Sequence, residues 1–133
     1  MSLVFADAFY FIARFNRSDQ HHVKAVRFVR SADWQLLTSE WVLMEVADGL
    51  ANSEVRPRVR EIIGDLRRSS SCEVVPVSSQ VFNRALDLYH ERPDKEWTLT
   101  DCTSFLIMRE RGITEALTGD HHFEQAGFTA LLK

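Results

Sequence analysis

Apolar positions along the chain alternate between short continuous runs and longer stretches with a three- to four-residue period. Leu3-Val4-Phe5-Ala6 is a continuous apolar run that stops at Asp7. This is the pattern of a buried strand with an acid at its carboxyl end. From Ala8 to Phe15 the apolar residues are nearly unbroken, which predicts a short, mostly buried helix. Asp19 suits the N-cap of a second helix carrying Val23, Val26, Phe28 and Val29, and Ser31-Ala32-Asp33 breaks it. Gln35–Thr38 reads as a second strand. Ser39 then caps a helix with Val42, Leu43, Val46 and Leu50 on its apolar face, ending near Gly49 and Asn52. An arginine-rich helix from about Val55 to Arg68 turns Val59, Ile62, Ile63 and Leu66 inward.

Glu73–Val77 is the third predicted strand. Ser78 or Ser79 caps a helix holding Val81, Phe82, Ala85, Leu86 and Tyr89. After a loop through Pro93 and Trp97, the segment WTLTDCTSFLIMRERG predicts a periodic helix ended by Gly112. Glu115–Thr118 is a fourth strand followed by Gly119-Asp120, and Thr129–Leu132 offers a short last one. Strands alternating with helical segments predict βαβ units, hence an α/β fold around a central parallel sheet of four or five strands. Ligands of such sheets bind outside the carboxyl ends of the strands, where the strand order reverses.

Composition narrows the class. The chain has 133 residues, 45% hydrophobic and 26% charged, with 5 Gly and 3 Pro. This is the make-up of one globular domain over residues 1–133 and excludes disorder and low complexity. A net charge of −3 excludes polyanion binding by bulk charge, so any nucleic-acid contact needs a local patch. Two cysteines, Cys72 and Cys102, fit a reducing cytoplasm better than a disulfide framework. No apolar run reaches the roughly 18 residues of a membrane span. The first residues lack the basic start of a signal peptide, so a cytoplasmic location with no membrane contact is expected.

Four acids fall at the expected ligand edge. Asp7 follows the first strand, Glu45 lies in the helix after the second, Asp101 opens the helix after Trp97, and Asp120 follows the fourth strand. Carboxylates gathered with few bases suit hard divalent cations such as Mg²⁺ or Mn²⁺, which supply the missing counter-charge. Each also has an ordinary explanation. Asp7 can cap the first helix, Asp101 can share a capping box with Thr98, Glu45 can be a solvated helix residue like Glu40 or Asp48, and Asp120 can be a turn residue. Only their joint placement points to a site.

The acids and the segments around them resemble the PIN domain family, above all its VapC-like toxin nucleases, over nearly the whole chain. The carriers are the strand running into Asp7, TSEWVLMEVADGL with Glu45, TLTDCTSFLIMRERG with Asp101, and EALTGDHHFEQAGF with Thr118, Asp120 and Phe123. The segment around Glu45 favours it over Glu40. Many family members place Ser or Thr after the first aspartate, where this chain has Ala8; Thr100, Thr103 and Ser104 are the alternative hydroxyls. The resemblance implies a PIN-like three-layer αβα sandwich. It also implies an endoribonuclease dependent on Mg²⁺ or Mn²⁺, with Asp7 and Asp101 as central ligands and Glu45 and Asp120 binding directly or through water. An RNA substrate, an antitoxin protein partner and a homodimer come with it.

Other features carry less. Adjacent histidines on a helix point about 100° apart, so His21-His22 and His121-His122 make poor zinc chelates, although His121 or His122 can reach a phosphate beside Asp120. Five of the thirteen arginines, Arg56, Arg58, Arg60, Arg67 and Arg68, fall in one segment among Glu54, Glu61 and Asp65. That segment is either a solvated face of local ion pairs or a phosphate- or partner-facing patch. No glycine-rich nucleotide loop is present. Two alternatives stand beside the nuclease: a catalytically silent PIN-fold module binding RNA or protein, and a receiver-like signalling domain. The second expects paired acids after the first strand and a lysine after the last, and the chain has neither.

Overall fold

β1 (Ser2–Ala6) lies at the centre of the sheet, flanked by β2 (Trp34–Ser39) and β4 (Glu115–Leu117), with β3 (Cys72–Val75) and β5 (Thr129–Ala130) outside them. The order is β3-β2-β1-β4-β5 and every pairing is parallel. The computed structural model describes residues 2–31 and 33–133. Ala32, part of the expected break before β2, lies outside the described residues. Val4, Phe5 and Ala6 are fully buried, as a central parallel strand covered on both faces must be.

The helices are α1 (Ala8–Phe15), α2 (His22–Ser31), α3 (Glu40–Gly49), α4 (Val59–Arg68), α5 (Ser79–Glu91), α6 (Leu99–Arg111) and α7 (His121–Gln125). The chain steps from β1 outward through β2 to β3, then returns across the sheet to β4 and β5. The helices pack in two groups, α1 with α2 and α3, and α6 with α5 and α7, and α3 also meets α6. The strand order reverses between β1 and β4. Ligands of such sheets bind at the carboxyl ends of the strands beside this point, where Asp7 and Thr118-Gly119-Asp120 emerge.

Local chemistry explains most boundaries. The Ser39 and Ser78 side chains each accept from a backbone N–H one turn in, on Val42 and Val81, at 3.2 Å, capping α3 and α5. Gly112 closes α6 at φ +66°, a left-handed conformation glycine adopts freely. The arginine-rich helix begins as a 3₁₀ turn at Arg56–Arg58, because Pro57 has no N–H to give and fits only an opening turn.

Four expectations need correction. β3 starts at Cys72 and ends at Val75, and β5 is only Thr129–Ala130. The short helix α7 has no counterpart among the expected elements, because five residues are too few to show a period. The α6 segment is not amphipathic, since Asp101 through Phe105, Ile107 and Met108 are all buried. It packs against α3, α5 and α7, so little of it faces solvent.

Candidate active site

Asp7 stands at the N-cap position of α1, yet its side chain caps nothing. Its Oδ2 instead accepts a hydrogen bond of 2.9 Å from Thr118 Oγ1, across the switch point from β1 to the end of β4. The same Thr118 oxygen accepts the backbone N–H of Asp120 at 3.1 Å. One hydroxyl thus ties two of the predicted acids together. Asp7 is only 5% exposed, and burial pushes its carboxyl up to about 7, with the like charges of Glu45 and Asp101 adding to the rise and Thr118 opposing it. Gly119 lets this loop close under α1, because a Cβ there would sit 2.6 Å from the Phe9 ring.

Asp101 does form the capping box with Thr98. Its Oδ2 accepts from Thr98 N at 3.1 Å while Thr98 Oγ1 accepts from Asp101 N at 3.0 Å. The ordinary reading and the site reading therefore hold together, because a carboxylate has lone pairs to spare. The same Oδ2 lies 2.9 Å from His122 Nδ1; with the carboxylate ionised, the ring proton sits on Nδ1. Burial raises the pKa of Asp101, and the bonds from Thr98 and His122 work against that rise.

Glu45 is half-buried in the middle of α3. Burial raises its pKa, followed by repulsion from Asp101, Asp120 and Asp48. Asp120 caps α7 by accepting from His122 N at 2.9 Å. The structure therefore brings all four predicted acids into one electrostatically coupled group at the carboxyl edge of β1 and β4. Among the described residues no lysine or arginine relieves Asp7 or Glu45.

Several roles differ from those expected. The hydroxyl at Asp7 is that of Thr118; Thr103 is spent on Thr100 O at 2.6 Å, and buried Ser104 Oγ has no partner. Glu40 is not a free solvated residue: it accepts from Arg67 Nη2 and from Val77 N, each at 2.8 Å, and so fastens α3 to α4 and the loop after β3. His122, expected only beside Asp120, is bonded to Asp101. The spacing of the sequence gives no sign of a contact that spans 21 residues and depends on α7. Ligand atoms of Asp120, His121 and His122 lie within 4.8 Å of one another, but His122 Nδ1 is already held by Asp101.

The donor set fits a hard cation. It is all carboxylate oxygen save for one imidazole, its charges repel one another, and burial raises the pKa values of Asp7 and Asp101. Fold and site together define an α/β protein of five parallel strands with an acidic centre at its topological switch point. The sequence profile of the PIN domain matches residues 4–129, and the chain belongs to the PIN domain family. It is 29% identical over 126 residues to the 23S rRNA-specific endonuclease VapC20 of Mycobacterium tuberculosis (strain H37Rv), covering 95% of each chain. The crystal structure of M. tuberculosis VapC20, a sarcin–ricin-loop-cleaving toxin, superposes with a TM-score of 0.85 at 28% identity, over 96% of this chain and 98% of that one. VapBC2 of Rickettsia felis, bound to a DNA fragment from its promoter, shares the fold with a TM-score of 0.65 at 12% identity over 98% and 97%. FitAcB of Neisseria gonorrhoeae does so at 0.59 and 15% over 98% and 95%. Membership of this family leaves no place for the receiver-like alternative.

Proposed function

We propose that residues 1–133 act as one nuclease domain, a metal-dependent endoribonuclease that hydrolyses RNA phosphodiester bonds as the toxin of a toxin–antitoxin pair. The observation that carries this reading is the convergence of the acids at the carboxyl ends of β1 and β4, where Thr118 links buried Asp7 to Asp120 and His122 meets Asp101. The chain's likeness to an rRNA-cleaving relative over 95% of its length supports RNA as the substrate.

Asp7 and Asp101 would be the central ligands of Mg²⁺ or Mn²⁺, with Glu45 and Asp120 binding directly or through water. Such a cation, when bound, lowers the pKa of water and offsets charge on the scissile phosphate. The chain's own residues set the conditions for it. Thr118 holds Oδ2 of Asp7 in place. His122 fixes the Asp101 carboxylate and stands where the proton on Nδ1 offsets charge at Oδ2. Burial of Asp7 and Asp101 keeps bulk water from screening the ligand. No side-chain nucleophile is needed.

An antitoxin protein and a homodimer complete the reading. Phe82, Leu86 and Tyr89 are exposed at one-turn spacing on α5, an apolar stripe that a second copy would cover. No helix among the described residues is long and apolar enough to cross a membrane, and the toxin reading places its work in the cytoplasm. The decisive experiment is RNA cleavage by the purified chain in Mn²⁺ and in EDTA. Metal-dependent internal cuts are expected, and a chain that cuts no RNA in either Mg²⁺ or Mn²⁺ across a broad panel would leave the silent binding module.

A further inference from the structure

The arginines of the chain are not alike once their partners are known. Arg67 is held by Glu40, Arg68 by Asp65, Arg92 by Asp94 and Arg111 by Glu73. Arg56 donates to Ala51 O at 3.0 Å. Among the described residues, the side chains of Arg27, Arg30, Arg60 and Arg109 have neither an acid nor a carbonyl to bind, and nor do those of Arg17 and Arg58. Arg17 and Arg58 lie far apart in sequence and line one open cleft of about 610 Å³. Asn16, Ser18 and Asn52 share its wall, so the lining offers amide and hydroxyl donors besides the two guanidinium groups. Glu54 is its one acid, which leaves the cleft with a net positive charge.

The cleft's position ties it to the acidic centre. It opens where α1 and α3 end, and these are the helices that carry Asp7 and Glu45. Eight residues of α1, about 12 Å at 1.5 Å per residue, separate the acid at one end from Asn16 and Arg17 at the other. Ile12 packs on Gly49, where an added Cβ would lie 2.5 Å away, so the two helices reach the cleft side by side. A chain of net charge −3 whose reactive edge is itself acidic repels a polyanion. The attraction must come from a separate local patch within reach of that edge.

We infer that this cleft holds the RNA backbone a few nucleotides from the bond being cut, with Arg17 and Arg58 each binding a phosphate. The inference rests on the ribonuclease reading above and adds to it the track along which the substrate lies. Guanidinium groups without a protein partner suit phosphate, which they grip with paired donors. Backbone contacts of this kind position the strand and carry no base preference. Arg58 would then be the phosphate-facing member of a segment whose neighbours Arg67 and Arg68 are bound up in local ion pairs.

The test uses the full chain carrying Arg17→Gln and Arg58→Gln together. A control chain carries Arg27→Gln and Arg109→Gln, which removes the same charge outside the cleft. Binding of a labelled single-stranded RNA is followed against salt in EDTA. KM and kcat are measured in Mn²⁺ on an RNA the wild type cuts. Loss of two phosphate contacts should lower the slope of log K against log salt by about 1.4, at 0.7 per contact on a single strand. KM should rise with kcat and the cut position unchanged, and the control should keep the wild-type slope. Unchanged slope and KM in the cleft variant, with wild type still cutting, would overturn the track and leave the nuclease intact. Equal losses in both variants would overturn it too, as an effect of general charge. A wild type that neither binds nor cuts RNA would overturn both readings.

Discussion

The two ends of α6 treat charge in opposite ways. At its last turn Arg111 grips Glu73 with two bonds, at 3.1 and 2.6 Å, and the Glu73 carboxyl falls below its ordinary range. At its first turn Asp101 joins Asp7, Glu45 and Asp120, and the pKa values of Asp7, Glu45 and Asp101 rise. The helix dipole favours an acid at the start and a base at the end, so both placements agree with it. The difference lies in the company each acid keeps. Glu73 has its cation in the protein, whereas among the described residues the acids at the other end form no ion pair with lysine or arginine and meet Thr98, Thr118, His121 and His122 instead. Like charges packed without a counter-charge cost stability, and a fold tolerates that where an outside cation is to be bound.

The largest effect should come from removing one charge at the acidic end. Asn at position 101 keeps an oxygen for Thr98 N and for His122, so the capping box and α6 survive Asp101→Asn. Cleavage in Mn²⁺ should fall by orders of magnitude, while the melting temperature without metal holds or rises as repulsion eases. Asp7→Asn should behave likewise. Wild-type cleavage by the folded Asp101→Asn chain would erase the contrast between the two ends.

Much of this contrast is legible in the sequence. Continuous apolar runs mark four strands, and acids at their carboxyl ends mark Asp7 and Asp120, because a parallel sheet exposes only that edge to ligands. Thr98 and Asp101 have capping-box spacing. What stays hidden depends on contacts between distant segments. Thr118 meets Asp7 across 111 residues, and His122 meets Asp101 through a helix too short to announce itself. Arginine composition does not separate Arg67, which is paired, from Arg58, which is not, because the partner Glu40 lies 27 residues away.

The next effect is on stability against pH, measured in EDTA. Asp7 goes from 3.8 unfolded to about 7 folded. A raised folded value favours the native state while the group is protonated; that contribution is complete below about 3.8 and is lost as pH climbs through about 7. Denaturant unfolding should thus show the chain weakening between about pH 4 and pH 7, by roughly 4 kcal/mol at most from this one carboxyl. In Asp7→Asn the decline should flatten. A wild type whose stability rises across that window would put the acid's burial in error.

Metal should then restore what ionisation of the acids takes away. An ion that binds only the folded chain, at a hundred times its dissociation constant, adds about 2.7 kcal/mol. Mn²⁺ should raise the melting temperature of wild type by several degrees and that of Asp7→Asn or Asp101→Asn far less. Equal shifts in all three would place the ion elsewhere, with the surface acids as the first suspects.

The smallest effect is expected at the far end of α6, and its sign runs the other way. Glu73 is exposed and its pKa is depressed by Arg111. Its contribution is present above the ordinary glutamate value of about 4.5 and is lost as pH falls through the lower folded value. Water and salt screen the pair, so Glu73→Gln should cost less than about 1 kcal/mol at neutral pH and nothing in strong acid. It should leave cleavage, the Mn²⁺ shift and the loss of stability between about pH 4 and pH 7 untouched. Chemical unfolding at pH 3 and pH 7, run beside Asp7→Asn, makes the comparison direct. Removing an acid from the paired end should weaken the chain near neutrality, while removing one from the unpaired end should strengthen it. If both substitutions moved stability the same way, the fixed cation of Arg111 would not be what distinguishes the two ends of the helix.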